Sequence, residues 1–67
     1  MVQIIVNGKP QRFDQAPDVT ELLRELALTG KKIAVERNGD IVPKSRHATT
    51  RLADGDRLEI VVAVGGG

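Results

Sequence analysis

The sequence predicts an α+β fold in which one amphipathic helix packs across a mixed sheet of four to five strands. Apolar residues alternate near both ends of the chain, which is typical of half-buried strands. A stripe of apolar residues with helical spacing lies between them. Two Asn-Gly pairs mark tight turns. The resulting order is β-β-α-β-β-β, and one helix across one sheet is the simplest way to bury both apolar faces.

The start of the chain predicts a β-hairpin. Residues 2–6 have a hydrophobic period of two, which indicates a half-buried strand. Asn7-Gly8 follows at once and predicts a tight turn, because both residues tolerate positive φ. A second, weaker strand is expected over residues 10–14, with Pro10 at its start or on a sheet edge because proline has no N–H to donate.

A helix is predicted to begin at Asp18. Glu21 stands three residues later, as in a capping box. The apolar stripe of this helix consists of Val19, Leu22, Leu23 and Leu26. Gly30 is expected just after the last helical turn, with Lys31 and Lys32 near the negative end of the helix dipole.

The second half of the chain predicts three further strands. They are residues 33–37, the short segment 41–42 and the strongest strand, residues 57–64. Residues 44–51 are polar and aperiodic, which indicates a loop with a helical turn. Three side chains of the last strand are expected to face the core: Leu58, Ile60 and Val62.

Length and composition favour a module that acts on, or with, a larger partner over a free-standing enzyme. A chain of 67 residues has room for one small core but hardly for an enclosed substrate pocket as well. The chain has no cysteine, so a disulfide framework is excluded and a reducing compartment such as the cytoplasm is expected.

Charge and hydropathy predict neither a nucleic acid nor a membrane partner. The net charge is +1 with both signs interspersed, and no apolar run approaches the length that spans a membrane. No metal site is predicted either. His47 is the only histidine, it stands in a polar segment, and we expect it to be a solvated surface residue.

Three glycines, Gly65, Gly66 and Gly67, end the chain and are its most informative residues. We expect residues 1–64 to form the folded domain and residues 65–67 a flexible tail. Glycine has no Cβ, so such a tail fits a narrow slot, and three extended residues reach at most ~10 Å. A carboxylate is a poor electrophile, so a terminal carboxylate used in this way needs activation, for example by adenylation.

A resemblance to known proteins extends over nearly the whole chain, and five segments carry it: residues 2–8, 19–23, 33–45, 52–61 and 63–67. With the order of elements, they resemble the ubiquitin-like β-grasp superfamily and, more narrowly, the ThiS family of sulfur carriers of thiamine biosynthesis. The Asp-Gly-Asp turn, the last strand and the Gly-Gly end also occur in the related carrier MoaD. The Asn-Gly-Asp-Ile-Val-Pro segment and the short length favour ThiS.

The resemblance implies that the chain is not an enzyme but a protein co-substrate. A ThiF-like adenylating enzyme would use ATP to adenylate the carboxylate of Gly67. A persulfide sulfur from a sulfur donor protein would displace AMP, and reduction would leave a thiocarboxylate. A ThiG-like thiazole synthase would then use that sulfur to form the thiazole ring. Gly66 and Gly65, which have no side chains, would let the carboxylate pass through a narrow channel into the partner's active site. The chain would bind no cofactor itself.

Apolar residues on the non-core side of the last strand predict a docking surface for these partners. They are Val61, Ala63 and Val64, and Ile5 of the first strand is expected to extend the patch. Scattered exposed apolar residues are normal, but a cluster beside a reactive tail favours docking.

Other functions stay open at this point. One is a MoaD-like subunit of molybdopterin synthase. Another is a ubiquitin-like protein modifier, in which Gly67 would form an isopeptide with lysine. A third is a non-covalent interaction or RNA-binding module, for which the glycines would be dispensable. Covalent conjugates on a denaturing gel would identify the modifier.

Overall fold

Five strands and one α-helix follow one another in the predicted order. The structure, a computed structural model, describes residues 1–63. The elements are β1 Val2–Val6, β2 Lys9–Phe13, α1 Val19–Glu25, β3 Ile33–Arg37, β4 Asp40–Val42, a 3₁₀ turn Lys44–Arg46 and β5 Arg57–Val62. All five strands form one mixed sheet, so the predicted α+β class is confirmed.

The first and last strands lie side by side in the middle of the sheet. The strand order is β2-β1-β5-β3-β4. β1 and β5 run parallel, with Val6 beside Leu58, and the other neighbouring pairs are antiparallel. Parallel neighbours need a long connection, and α1 lies within it. β5, which leads to the end of the chain, therefore lies between β1 and β3.

Both Asn-Gly pairs form the tight turns that the sequence predicts. Asn7 and Gly8 have φ of 49° and 83°, and Asn38 and Gly39 have φ of 51° and 90°. Positive φ at both central residues is the type I′ geometry that matches the twist of a hairpin. In the first hairpin the turn places Lys9 directly opposite Val6, so β2 begins one residue earlier than predicted.

The helix begins as predicted but ends earlier. The Glu21 N–H donates to the Asp18 carboxylate at 2.8 Å and the Asp18 N–H donates to the Glu21 carboxylate at 2.9 Å, which is the capping box. α1 ends at Glu25, so the predictions that Gly30 follows its last turn and that the lysines after Gly30 face its dipole are wrong.

A Schellman motif at Ala27 ends the helix. Ala27 has a φ of 59°, and its N–H donates to the Arg24 carbonyl at 3.0 Å, while the Leu28 N–H donates to the Leu23 carbonyl at 2.8 Å. The reversal brings Leu28, which lies off the helical stripe, against the core. The end of the helix thus coincides with the packing of Leu28 against the core.

Replacing Ala27 by glycine is expected to raise the free energy of unfolding by about 0.5 to 1 kcal/mol. A Cβ is unfavourable at this positive φ, and glycine removes that cost while losing some chain entropy. Thermal unfolding followed by circular dichroism should show a melting temperature about 3 to 6 °C higher. The matched control is Ala48→Gly, since Ala48 is exposed and its φ is not positive. If Ala27→Gly is no more stable than Ala48→Gly, the positive φ of Ala27 does not cost the fold stability.

The core lies between the helix and one face of the sheet. Its buried apolar side chains are Ile4, Val6, Val19, Leu22, Leu23, Val35, Val42, Leu52, Leu58 and Ile60. Val62 was expected among them but is 37% exposed. β1 ends beside Leu58, so at Val62 only β3 remains as a neighbour and the sheet is narrower there.

His47 is buried rather than solvated, so the surface prediction for it is wrong. Its side chain is 8% exposed, with Nε2 at 3.1 Å from the carbonyl oxygen of Val42. Its own carbonyl accepts the Thr20 N–H at 3.2 Å. The 3₁₀ turn folds the polar segment back between the end of β4 and the start of the helix, which explains the burial.

Neither a metal cluster nor a membrane-crossing helix occurs in the described part of the chain. Residues 1–63 contain no group of three His, Cys, Asp or Glu side chains placed to hold a metal ion. A helix that crosses a membrane needs roughly 20 apolar residues, and none of the helices described here meets that requirement.

Candidate functional site

The candidate site is the end of β5 together with the sheet face beside it. The predicted reacting residue, Gly67, and the predicted tail residues Gly65 and Gly66 lie outside the described residues, as does Val64. β5 leads to them. On one side of β5 the antiparallel pairing with β3 continues to the N–H of Ala63, which donates to the Lys32 carbonyl at 2.8 Å.

On the other side, the side chain of Asn7 continues the sheet where β1 ends. The Asn7 N–H donates to the Leu58 carbonyl at 2.9 Å. Its side-chain Nδ2 donates to the Ile60 carbonyl at 3.0 Å, and its Oδ1 accepts the Ile60 N–H at 2.7 Å. The amide thus makes the bonds that one more residue of a parallel strand would make. β5 is held from both sides as far as Ile60.

The start of β5 is fixed by the buried carboxylate of Asp56. It accepts hydrogen bonds from the Arg37 Nε at 2.9 Å, the Ala53 N–H at 2.8 Å and the Asn38 Nδ2 at 3.1 Å. Burial acts to raise the pKa of Asp56. The hydrogen bonds from Ala53, Asn38 and Arg37, with the charge of Arg37, outweigh it and hold this pKa below its ordinary value.

The predicted docking residues are only partly brought together. Val61 is 63% exposed and Ala63 is exposed, on the sheet face opposite the helix. Ile5 shares that face but is half-buried and pairs with Arg57, four residues before Val61. At ~3.3 Å per residue this puts Ile5 about 13 Å from Val61 along the strand direction.

Two apolar residues that the sequence analysis missed also lie on this face. Ala34 lies directly opposite Val61 in the pairing of β3 with β5. Ile41 of β4 is 65% exposed on the same face. The burial of its neighbour Val42 shows why: alternation in a strand sends adjacent side chains to opposite faces. The same alternation, applied to the short strand in the sequence, could have found Ile41.

Comparisons with known proteins give a consistent result. A family model described as the ThiS family matches residues 4–67. The sulfur carrier protein ThiS of Bacillus subtilis (strain 168) is 38% identical over 63 residues, which cover 92% of this chain and 96% of that protein. A thiazole synthase of Paramagnetospirillum magneticum is 46% identical over 66 residues, 98% of this chain but 20% of the synthase. The chain thus spans about a fifth of that relative.

A solved structure shows the same fold. The crystal structure of the thiamine biosynthesis protein ThiS from Geobacter metallireducens has a TM-score of 0.81 and 36% identity, covering 98% of this chain and 100% of that one. This match confirms the ubiquitin-like β-grasp fold.

Proposed function

Since the chain belongs to the ThiS family, we propose that it is a sulfur carrier protein of thiamine biosynthesis whose Gly67 carboxylate takes up the sulfur. One observation carries this proposal: the match to the family runs through residue 67 and includes all three terminal glycines. Gly66 and Gly65 are proposed to give that carboxylate its slim approach, because glycine brings no side chain into a narrow channel.

The proposed chemistry has three steps. A carboxylate oxygen of Gly67 attacks the α-phosphorus of ATP in the adenylating enzyme and pyrophosphate leaves. A persulfide sulfur of the donor protein then attacks the acyl carbon, and AMP leaves. Reduction by a thiol cleaves the resulting acyl disulfide and leaves a thiocarboxylate. The chain contains no cysteine, so both the sulfur and the reducing thiol come from other molecules.

The folded body supports this chemistry by holding the base of the tail rigidly. β5 is paired with β3 as far as Ala63 and is held by the Asn7 amide at Ile60. A partner that grips the body therefore meets the chain in a fixed position as far as Ala63. The chain acts as a co-substrate and binds no cofactor, while ATP binds to the adenylating enzyme.

Three partners belong to this proposal: a ThiF-like adenylating enzyme, a sulfur donor protein and a ThiG-like thiazole synthase. The last has support from relatives, because the thiazole synthases of P. magneticum and Magnetococcus marinus each contain a segment similar to this chain in about a fifth of their length. We propose the cytoplasm, where ATP is available, as the compartment. Val61, Ala63 and Val64 are proposed to dock these partners.

The proposal is tested by intact mass spectrometry before and after incubation with the matched adenylating enzyme, ATP and the sulfur donor. We expect a gain equal to one oxygen-to-sulfur exchange, located at Gly67 and abolished by deletion of Gly67. Val61→Asp should slow the reaction about tenfold or more while the chain keeps its folded circular dichroism spectrum, since it places a charge in the docking surface.

Two results would contradict this function. An adenylate that forms but never takes up sulfur would indicate a protein modifier. No change of mass with a competent enzyme would exclude a carrier and leave a binding module.

A further inference from the structure

Two glutamate residues are paired directly across neighbouring strands, on the sheet face that the helix leaves uncovered. The pairing of β3 with β5 sets Glu36 against Glu59. Their neighbours Val35 and Ile60 point into the core, so the two glutamates point away from it. Directly opposite residues have Cβ atoms ~5 Å apart, and like charges so placed destabilise a sheet.

The fold does not relieve this repulsion. Within residues 1–63 the only ion pair shorter than 4.0 Å joins Arg37 to Asp56. Arg57 is two residues before Glu59 on the same face of β5, but it is not within that distance of either glutamate. Glu36 and Glu59 therefore have no cationic partner among the described residues.

Exposed apolar side chains surround the two carboxylates. Ile41 lies directly opposite Glu36 on β4, and Ala34 and Val61 form the next pair along β3 and β5. Ile41 and Val61 are 65% and 63% exposed. We call these five residues the outer patch: Ala34, Glu36, Ile41, Glu59 and Val61. A surface that covers the patch removes water from both carboxylates, which is costly unless that surface supplies a positive charge.

We propose that the outer patch docks on thiazole synthase and that an arginine or lysine of the synthase lies between Glu36 and Glu59. This inference rests on the proposed function and adds the chemistry by which one partner is recognised. A cation so placed turns the repulsion within the free chain into attraction in the complex, and the arginine fork can bond both carboxylates. Ile41 and Val61 would form the apolar border that excludes water from the ion pairs.

Two observations select the synthase as the occupant. Segments similar to this chain occur inside thiazole synthases, where they are part of the same polypeptide. The patch also lies along β5, the strand that leads to the residues that carry the sulfur. A synthase bound there holds the chain next to the end of β5.

The test is the affinity of the double variant Glu36→Gln/Glu59→Gln for the cognate thiazole synthase, measured by isothermal titration calorimetry. Glutamine keeps the size and polarity of the side chain but removes the charge. We expect a Kd about tenfold higher or more, with a weaker dependence on salt. The melting temperature should rise by about 2 to 4 °C, because the repulsion is removed. A rise in stability with a loss of affinity rules out a merely structural role.

The matched control is Glu25→Gln, which removes an exposed carboxylate from the helix. Its affinity for the synthase should stay within about twofold of the unchanged chain. A double variant that also stays within that range, while taking up sulfur normally in the mass measurement, would overturn this inference and leave the proposed function intact.

A double variant that binds the synthase normally but is adenylated slowly would also overturn the inference, and it would assign the two carboxylates to the adenylating enzyme instead. Failure of the unchanged chain to take up sulfur would instead contradict the proposed function. The two ideas therefore fail in different measurements.

Discussion

Replacing Asn7 by alanine is expected to lower the free energy of unfolding by about 2 to 3 kcal/mol. The side-chain amide bonds both the N–H and the carbonyl of Ile60, and its loss leaves these backbone groups without protein partners. Alanine also fits the positive φ of this turn residue less well than asparagine. Since domains of this size have roughly 3 to 10 kcal/mol of stability, the loss is a large share.

Two further variants separate the contribution of the turn conformation to stability from that of the Asn7 side-chain amide. Asn7→Gly keeps the backbone conformation and removes only the amide, so it should still lose about 1 to 2 kcal/mol. Asn7→Asp keeps an acceptor for the Ile60 N–H but has no donor for the Ile60 carbonyl. Urea unfolding followed by circular dichroism measures all three. A glycine variant as stable as the unchanged chain would show that the amide does not hold β5.

Replacing Asp56 by asparagine is expected to lower the free energy of unfolding by about 1.5 to 3 kcal/mol at neutral pH. The charge that pairs with Arg37 is lost, and an amide has only one acceptor oxygen where the carboxylate uses two. The three bonds join the β3-β4 turn to the segment before β5, so their loss loosens the start of that strand.

The loss of stability caused by Asp56→Asn should be largest at neutral pH and smaller in acid. The pKa of Asp56 is lowered from its ordinary value of 3.8, so the carboxylate stabilises the fold above about pH 4. That contribution is lost as the pH falls through the lowered pKa of the folded chain. The difference in stability between the unchanged chain and Asp56→Asn should therefore narrow in acid.

Urea titrations at a series of pH values between neutral and strongly acidic would show this narrowing. Asp14→Asn serves as control, because Asp14 is exposed and its carboxylate makes no hydrogen bond within residues 1–63. A difference between Asp56→Asn and the unchanged chain that stays constant down to the lowest pH would mean that the charge of Asp56 does not stabilise the fold.

The candidate site was predictable in part. Family resemblance directed attention to Gly67, and alternation along the last strand placed Val61 on the uncovered face. The distance of Ile5 from Val61 could not be predicted, because it depends on the parallel register of β1 with β5. Glu36 and Glu59 each look like an ordinary exposed residue in the sequence. Only the antiparallel register sets them opposite each other.

The sequence by itself determined the features that depend only on residues close together in the chain. The two Asn-Gly turns and the capping box of Asp18 and Glu21 depend on local φ preferences and on bonds over three residues. The alternation of apolar residues in β1 and β5 then sets which faces are buried. These local patterns agree with one another, so they were sufficient for the order of the elements and the fold class.

Only the tertiary structure decided the features that depend on distant partners. The chain reverses at Ala27, just after the helix ends, and Leu28 packs against the core; Val62 is exposed because β1 ends beside Leu58. Asn7 forms a local turn and also holds Ile60, a residue 53 positions away. Burial, register and such long-range hydrogen bonds arise when segments meet in space, and the spacing of residues along the chain does not specify them.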